Sequence, residues 1–442
     1  MKKRSMKQSL SAALLFLLIG PGHIDHGYPQ QEKDSAVPVK IENRNGVFRL
    51  LRGGEKYFIK GAVGYDYLGR LARYGGNSIR IPASKEILDK ADSLHLTALV
   101  NLPVLGERDG MDYNDTASVH AQSEKVLDIV RRLKNHPAVL IWALGNEMEF
   151  VRPEITQYNT RVWEAVNALT EEIHRIDPDH PVMTVLGSVS RELIGNMIRL
   201  SPSLDLIGIN AYGDINKVPG WLRAYGWEKP YVITEWGPTG FWQVPETRWH
   251  APIEETSSMK ADKYRQRYEQ VILGDDSLCL GSYVFLWRQH QERTHTWFGM
   301  FDTAGLETEA VNVMNYEWSG RWPANKAPRV DSMKIGDRTA YQNIELLPGQ
   351  KLQATAWVKD PDKDNLTYNW EVLKEGTNFP YGGRGERKPD AVPELIRERN
   401  NWKITFAAPS VEGPYRLFMY AYDGHGHWAT ANIPFFVKKP QR

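Results

Sequence analysis

From about residue 39 to residue 322, short runs of apolar and β-branched residues alternate with segments whose apolar positions recur every three to four residues. That rhythm predicts βα units around a parallel sheet. Eight runs qualify as strands: 57–63, 78–81, 97–102, 139–144, 182–186, 206–210, 231–234 and 281–286. Several are apolar almost throughout, as strands buried on both faces are. Between them, Ser84 can cap a helix whose apolar face is Ile87, Leu88, Ala91 and Leu94. A second helix presents Val126, Ile129, Val130 and Leu133. A third presents Val162, Ala165, Val166, Leu169 and Ile173 and stops before Pro178. Eight such units predict a closed (β/α)8 barrel, the TIM barrel, of the usual size of about 250 residues. Ahead of it, 39–51 has Asn45-Gly46 between two alternating runs, a hairpin signal placed to close the barrel's lower end.

The pattern changes after Trp322. Pro323, Asn325, Lys326, Ala327 and Pro328 mark 323–329 as a linker, so the barrel domain with its hairpin is 39–322. Residues 330–442 show period-two alternation in 351–358, 366–372, 402–406, 415–422 and 429–437, separated by turn-rich joints. A small antiparallel, immunoglobulin-like β-sandwich is expected. The stretches DPDKDNLTYNW and YRLFMYAYDGHG resemble repeat domains of the polycystic-kidney and cadherin-like classes. The cadherin comparison raises calcium at Asp360, Asp362 and Asp364, but solvated turn carboxylates explain that spacing more simply, and no metal is assigned.

The N-terminus changes the picture of destination. Lys2, Lys3, Arg4 and Lys7 precede an apolar stretch over 10–20, the layout of an export signal ending near residue 26. A secreted, periplasmic or cell-surface protein is expected. No later segment is long and apolar enough to span a bilayer. Cys279 is the only cysteine, so no intrachain disulfide is possible, and it reads as a small buried hydrophobe. A formal charge of +1 gives no basic field for nucleic acid. The chain has 15 Trp and 20 Tyr, which fit either large cores or stacking on the apolar faces of sugars.

In a (β/α)8 barrel, reactive groups sit at the carboxyl ends of strands. Strand four runs into Gly145, Asn146 and Glu147, and strand seven delivers Glu235 to the same rim. Two facing carboxyls are what glycosidic cleavage needs: one protonates the leaving oxygen while the other attacks the anomeric carbon. Glu149 and Glu154 lie past the strand end and read as loop charges. His136, His174 and His180 show no metal-ligand spacing, and no G-x-S-x-G elbow occurs.

Here the chain resembles the retaining glycoside hydrolases of clan A, and most of all the barrel of glycoside hydrolase family 2. HPAVLIWALGNE, His136 to Glu147, is similar to that group's strand-four motif, and PYVITEWG, Pro230 to Gly237, to its strand-seven motif. The resemblance covers about 45–320. It implies Glu147 as acid/base, Glu235 as nucleophile and Asn146 as a partner of the sugar 2-hydroxyl. It also implies Arg80 holding the nucleophile ionised, Tyr212 donating to it, and Trp287 as the floor of the −1 subsite. A salt bridge for Arg80 and aromatic packing for Tyr212 remain alternatives. Trp236 either stacks on sugar or packs, and Phe241, Trp242, Trp249, Trp297 and Phe298 lie in loops on the binding face. No cofactor is implied. Family 2 enzymes carry a jelly-roll and an immunoglobulin-like domain before the barrel, whereas here the first strand is expected by about residue 57. The layout is similar to the endo-β-1,3-glucanases of glycoside hydrolase family 158. The expectation is therefore endo-action on a β-glucan, the substrate partner being a polysaccharide or oligosaccharide. Transglycosylation, an exo-β-glycosidase of family 2 type and a non-catalytic carbohydrate-binding protein are the alternatives.

Overall fold

The computed structural model describes residues 35–439 apart from 153, 155, 156, 377–380 and 384. The expected export signal, 1–26, lies outside the described residues. The barrel strands are Ile59–Val63, Ser78–Pro82, Thr97–Leu102, Val139–Leu144, Val182–Leu186, Leu206–Asn210, Tyr231–Trp236 and Cys279–Val284. They form one closed parallel barrel, the last pairing with the first at Gly281 and Ile59. The expected (β/α)8 fold is present. Ser84 caps helix Lys85–Asp92 by accepting from the Ile87 amide at 3.4 Å. Helix Thr116–Leu133 starts well before its apolar face does, because Asp115 caps a polar first turn. Among the described residues, no helix is long and apolar enough to cross a membrane. Cys279 is buried at the start of the eighth strand.

The run 57–63 is not one strand. Glu55–Tyr57 folds back on Val47–Arg52, and the barrel begins only at Ile59. Strands Val39–Arg44 and Val47–Arg52 form the hairpin, with Asn45 and Gly46 at positive φ (56° and 82°), as its two-residue turn requires. The hairpin seals the amino-terminal end of the barrel. The Val39 and Phe48 amides donate to Asp179 O (2.7 Å) and Ser277 O (2.8 Å), and Arg52 Nη2 donates to Pro137 O (2.8 Å). All three acceptors lie just before barrel strands. Val39 and Leu50 thereby join Ile59, Leu99, Ile141, Met183 and Val232 in one dry core. Burying each such side chain contributes about 1.5–3 kcal/mol.

The carboxy-terminal part is two packed sheets. One holds Arg329–Ile335, Lys351–Lys359 and Lys403–Ala407; the other holds Ile344–Leu346, Trp428–Val437, Gly413–Tyr422 and Thr367–Lys374. Trp370, Phe406, Leu417 and Phe435 fill the space between them. Two of these strands, Arg329–Ile335 and Ile344–Leu346, were not expected. The first starts inside the stretch read as a linker, and that stretch is pinned: the Ala327 amide donates to Asn312 Oδ1 and the Lys326 amide to Asp362 Oδ2, each at 2.7 Å.

Barrel and sandwich share a buried polar junction. Glu254, in the loop after the seventh strand, accepts from Lys260, Thr294 and Thr296 of the barrel and from Asn432 of the sandwich. Buried Arg416 bonds Glu375, Asn432 and the carbonyl of Pro252. Burial alone would raise the Glu254 carboxyl, but the Lys260 and Arg416 charges outweigh it and hold it below the ordinary glutamate value.

Candidate active site

Strand four ends in a sharp turn, with Gly145 at φ 69° and Glu147 itself at φ 53°. Such a conformation is uncommon for a side-chain-bearing residue and clusters at functional sites. It is held by the Glu147 amide donating to Val185 O at 2.8 Å. A Cβ on Gly187, after strand five, would come within 2.7 Å of Glu147 Cδ, so the glycine makes room for the carboxyl.

Strand seven reaches the same space by a different device. Its pairing with strand six steps from Ile233–Ile209 to Glu235–Asn210, a bulge that breaks the alternation of faces. Thr234 bonds Asn210 Oδ1 at 2.8 Å, inside the barrel, and Glu235 follows it inward rather than turning out.

Arg80, the middle residue of strand two, is 3% exposed; it reaches Glu235 directly and Glu147 by way of Asn210. Its Nη1 donates to Glu235 Oε1 at 2.8 Å, to Asn210 Oδ1 at 3.3 Å and to the Thr234 carbonyl at 3.2 Å. Nη2 donates to Asn146 Oδ1 at 2.6 Å, and Nε to Asn101 Oδ1 at 3.3 Å. Asn210 Nδ2 then donates to Glu147 Oε1 at 2.7 Å and to Asn146 Oδ1 at 3.2 Å. With its oxygen fixed by two donors, Asn146 keeps its NH2 for other partners. The Tyr212 hydroxyl donates to Glu235 Oε2 at 3.0 Å.

The two carboxyls are therefore unequal. Glu235 is pushed up by burial, but the Arg80 charge and the Tyr212 hydroxyl both oppose the push. Glu147 is pushed up by burial and by the Glu235 charge to about 8; the neutral Asn210 amide stands at hydrogen-bond distance and Arg108 Nη1 at 3.9 Å. The cation and the phenol thus oppose the rise at Glu235, while Glu147 has a neutral amide opposing its own. Burial and the Glu235 charge keep the Tyr212 phenol protonated, as a donor must be.

Arg80, Asn146, Glu147, Tyr212 and Glu235 are thus brought together. Trp236 and Trp287 are not. Trp236 is fully buried on the outside of the strand, stacked on Tyr268 at 5.9 Å. Trp287 is fully buried against Trp318 of helix Glu309–Ser319, Tyr74 and Phe301. Neither can touch a sugar, and both belong to barrel–helix packing. Phe285 stands edge-on to Tyr212 at 6.0 Å. Trp242, 54% exposed, stands edge-on to Tyr212 at 5.4 Å; Trp297 and Phe298 are buried, and Trp249 packs on Phe436.

Four residues here had no signal beyond position: Asn210 at a strand end, and Arg108, Glu149 and Glu292 in loops. Glu149 is no solvated charge. It is 8% exposed and its Oε1 takes the Gly187 and Ser188 amides at 2.7 and 3.0 Å, fastening the loop after strand five. Burial raises its carboxyl to about 6. Glu292, bonded to His290 at 3.1 Å, raises both Glu235 and Tyr212 through its charge. Glu154 is exposed, as expected. His136, His174 and His180 pair with Asp89, Asp205 and Asp177. In the sandwich, Asp360 and Asp364 converge with Asp423 rather than with Asp362, which is turned to the Lys326 amide.

Residues 94–242, which contain both carboxylates, match the family model described as "Glycosyl hydrolases family 2, TIM barrel domain". A β-glucuronidase of Paenibacillus borealis is 25% identical over 253 residues, 47% of this chain and 39% of that protein. A β-galactosidase of Bacteroides ovatus is 23% identical over 394 residues, 74% of this chain and 45% of that protein. The chain thus spans less than half the length of these curated relatives. A crystal structure of Bacteroides uniformis β-glucuronidase superposes with a TM-score of 0.50 at 14% identity, covering 91% of this chain and 48% of that one, which is a likeness of fold. The segment that carries Glu147 and Glu235 is similar, in sequence and in fold, to the barrel of glycoside hydrolase family 2.

Proposed function

We propose that the chain is a retaining β-glycosidase acting by double displacement, with Glu235 as nucleophile and Glu147 as acid/base. The observation that carries this is the inequality of the two carboxyls across Arg80. Glu235, ionised by Arg80 and Tyr212, attacks the anomeric carbon while Glu147 gives its proton to the leaving oxygen. Glu147 then takes a proton from water, which displaces Glu235. The free NH2 of Asn146 suits a hydroxyl on the bound ring, and the Phe285 ring borders the same space. The relatives are named for single sugars, glucuronate and galactose, rather than for a polymer. That favours release of a terminal sugar over the endo-action on β-glucan suggested by domain layout. Trp242, exposed beside Tyr212, offers a stacking face for the leaving or the accepting sugar, and an acceptor held there would turn hydrolysis into transfer. The basic and apolar pattern of the first 20 residues supports export, and with it action outside the cytoplasm.

The test is hydrolysis of aryl β-glucuronides, β-galactosides and β-glucosides, with the product anomer read by NMR before mutarotation. One of them should be cleaved with β-product formed first, and a 2-fluoro glycoside of that sugar should add its mass to the peptide carrying Glu235. α-Product, or label on another peptide, overturns the mechanism. Oligosaccharides cut from β-glucan without any terminal sugar would restore endo-action.

A further inference from the structure

The sandwich has two buried tryptophans, Trp370 between its sheets and Trp428 in a cluster with Leu306 of the barrel, at 0% and 3% exposure, and two that face water, Trp357 and Trp402 at 42% and 48%. The exposed pair lies on one side of the three-stranded sheet. Trp357 is on the central strand, directly across from Ser332, and the carbonyl of Trp402 accepts from the amide of Ala356 beside it. Together with Tyr368 they line an open groove of about 640 Å³. A second groove, of about 650 Å³, adjoins it across Trp402 and continues past Gln353, Arg397 and Asn401. Two large aromatic faces left half in water in one concavity point to a ligand.

The rest of the lining decides which ligand. Lys334 sits over the Trp357 ring at 5.8 Å, and Asp331 and Lys359 pair at its margin. The core of a protein–protein interface is depleted of charged side chains, whereas here charges stand immediately beside the rings. A sugar ring matches that alternation, since it has a flat apolar face for stacking and a rim of hydroxyls for charged and amide groups. We propose that this face of the sandwich is a non-catalytic binding site for a polysaccharide strand several sugars long, with Trp357 and Trp402 as its stacking platforms. The choice of a glycan over other ligands rests on the glycosidase reading of the barrel.

The test uses the full chain carrying Glu235→Gln, so that bound polymer is not consumed, in native gels cast with laminarin, galactan, xylan or polygalacturonate. At least one polymer should retard it. Trp357→Ala and Trp402→Ala should each weaken the retardation at least about tenfold, as loss of a central aromatic anchor does, while Trp357→Phe retains most of it. In the parent background these substitutions should leave aryl-glycoside turnover unchanged. Absence of retardation by every polymer overturns the site, as does retardation that survives both alanine substitutions or that falls only with Trp242→Ala. So does self-association of the chain, seen by light scattering, that Trp357→Ala abolishes. Failure of the glycosidase reading would show separately, as absence of aryl-glycoside turnover in the parent.

Discussion

The two ends of the barrel are made from the same eight strands and are opposites in chemistry. At the amino-terminal end the hairpin brings Val39 and Leu50 onto a core of aliphatic side chains, and its own backbone groups are spent on Asp179, Ser277 and Pro137. At the carboxy-terminal end the buried groups are Arg80, Asn146, Asn210, Glu147 and Glu235, bonded to one another. One end contributes stability. The other costs stability, because a buried carboxyl with a raised pKa is held at the expense of its solvation. A barrel can carry such a rim because the seal lies at the other end.

The sharpest way to break that division is Glu235→Gln. It should lower kcat on the order of 10⁴-fold while leaving the midpoint of thermal unfolding unchanged or higher, measured by activity and calorimetry on one preparation. Glu147→Gln should lower kcat by about 10²–10⁴-fold, least on substrates with good leaving groups. It also tests the sign of the carboxyl's contribution. The folded chain holds the Glu147 proton up to about pH 8, whereas the unfolded chain releases it near 4.5. Stability from this group therefore falls as pH rises through that window. Urea titrations should show the glutamine variant more stable than the parent at pH 8 and level with it at pH 4. For the same reason kcat/KM of the parent should decline above about pH 8, as the acid loses its proton.

Leu50→Ala turns the comparison round. Removing the hairpin's buried leucine should cost about 2–5 kcal/mol of stability, read from denaturant midpoints, with kcat of the surviving folded enzyme unchanged. A large fall in kcat would mean that the two ends are mechanically coupled. The smallest effect is expected from Tyr212→Phe, which removes one donor to Glu235 and leaves Arg80 in place. A loss of about tenfold in kcat, with little change in KM, would measure that single hydrogen bond.

Much of this layout was legible along the chain, for reasons that differ between residues. Parallel strands buried on both faces read as apolar runs, so Val139–Leu144 and Leu206–Asn210 stand out, and their last residues are where a barrel puts its chemistry. The tryptophans were misplaced because side-chain direction depends on register. From Val232, strict alternation would turn Glu235 outward and Trp236 inward; the bulge after Ile233 reverses both, and nothing local in TEWG announces it. Arg108, Glu149 and Glu292 come from loops, where no periodicity says which charges fold inward. The strand Arg329–Ile335 was hidden by the prolines just before it, which read as a spacer but lead directly into a sheet.

The junction at Glu254 has a consequence for inheritance. A recombination event that trimmed this chain between residues 322 and 330 would discard Asn432 and Arg416, removing one of the four donors to Glu254 and the side-chain donor to the Pro252 carbonyl. Glu254 and Pro252 sit on the same loop that carries Trp242, so the loss would reach the rim of the barrel as well. A barrel separated from its sandwich would therefore carry an unbalanced polar patch on that loop.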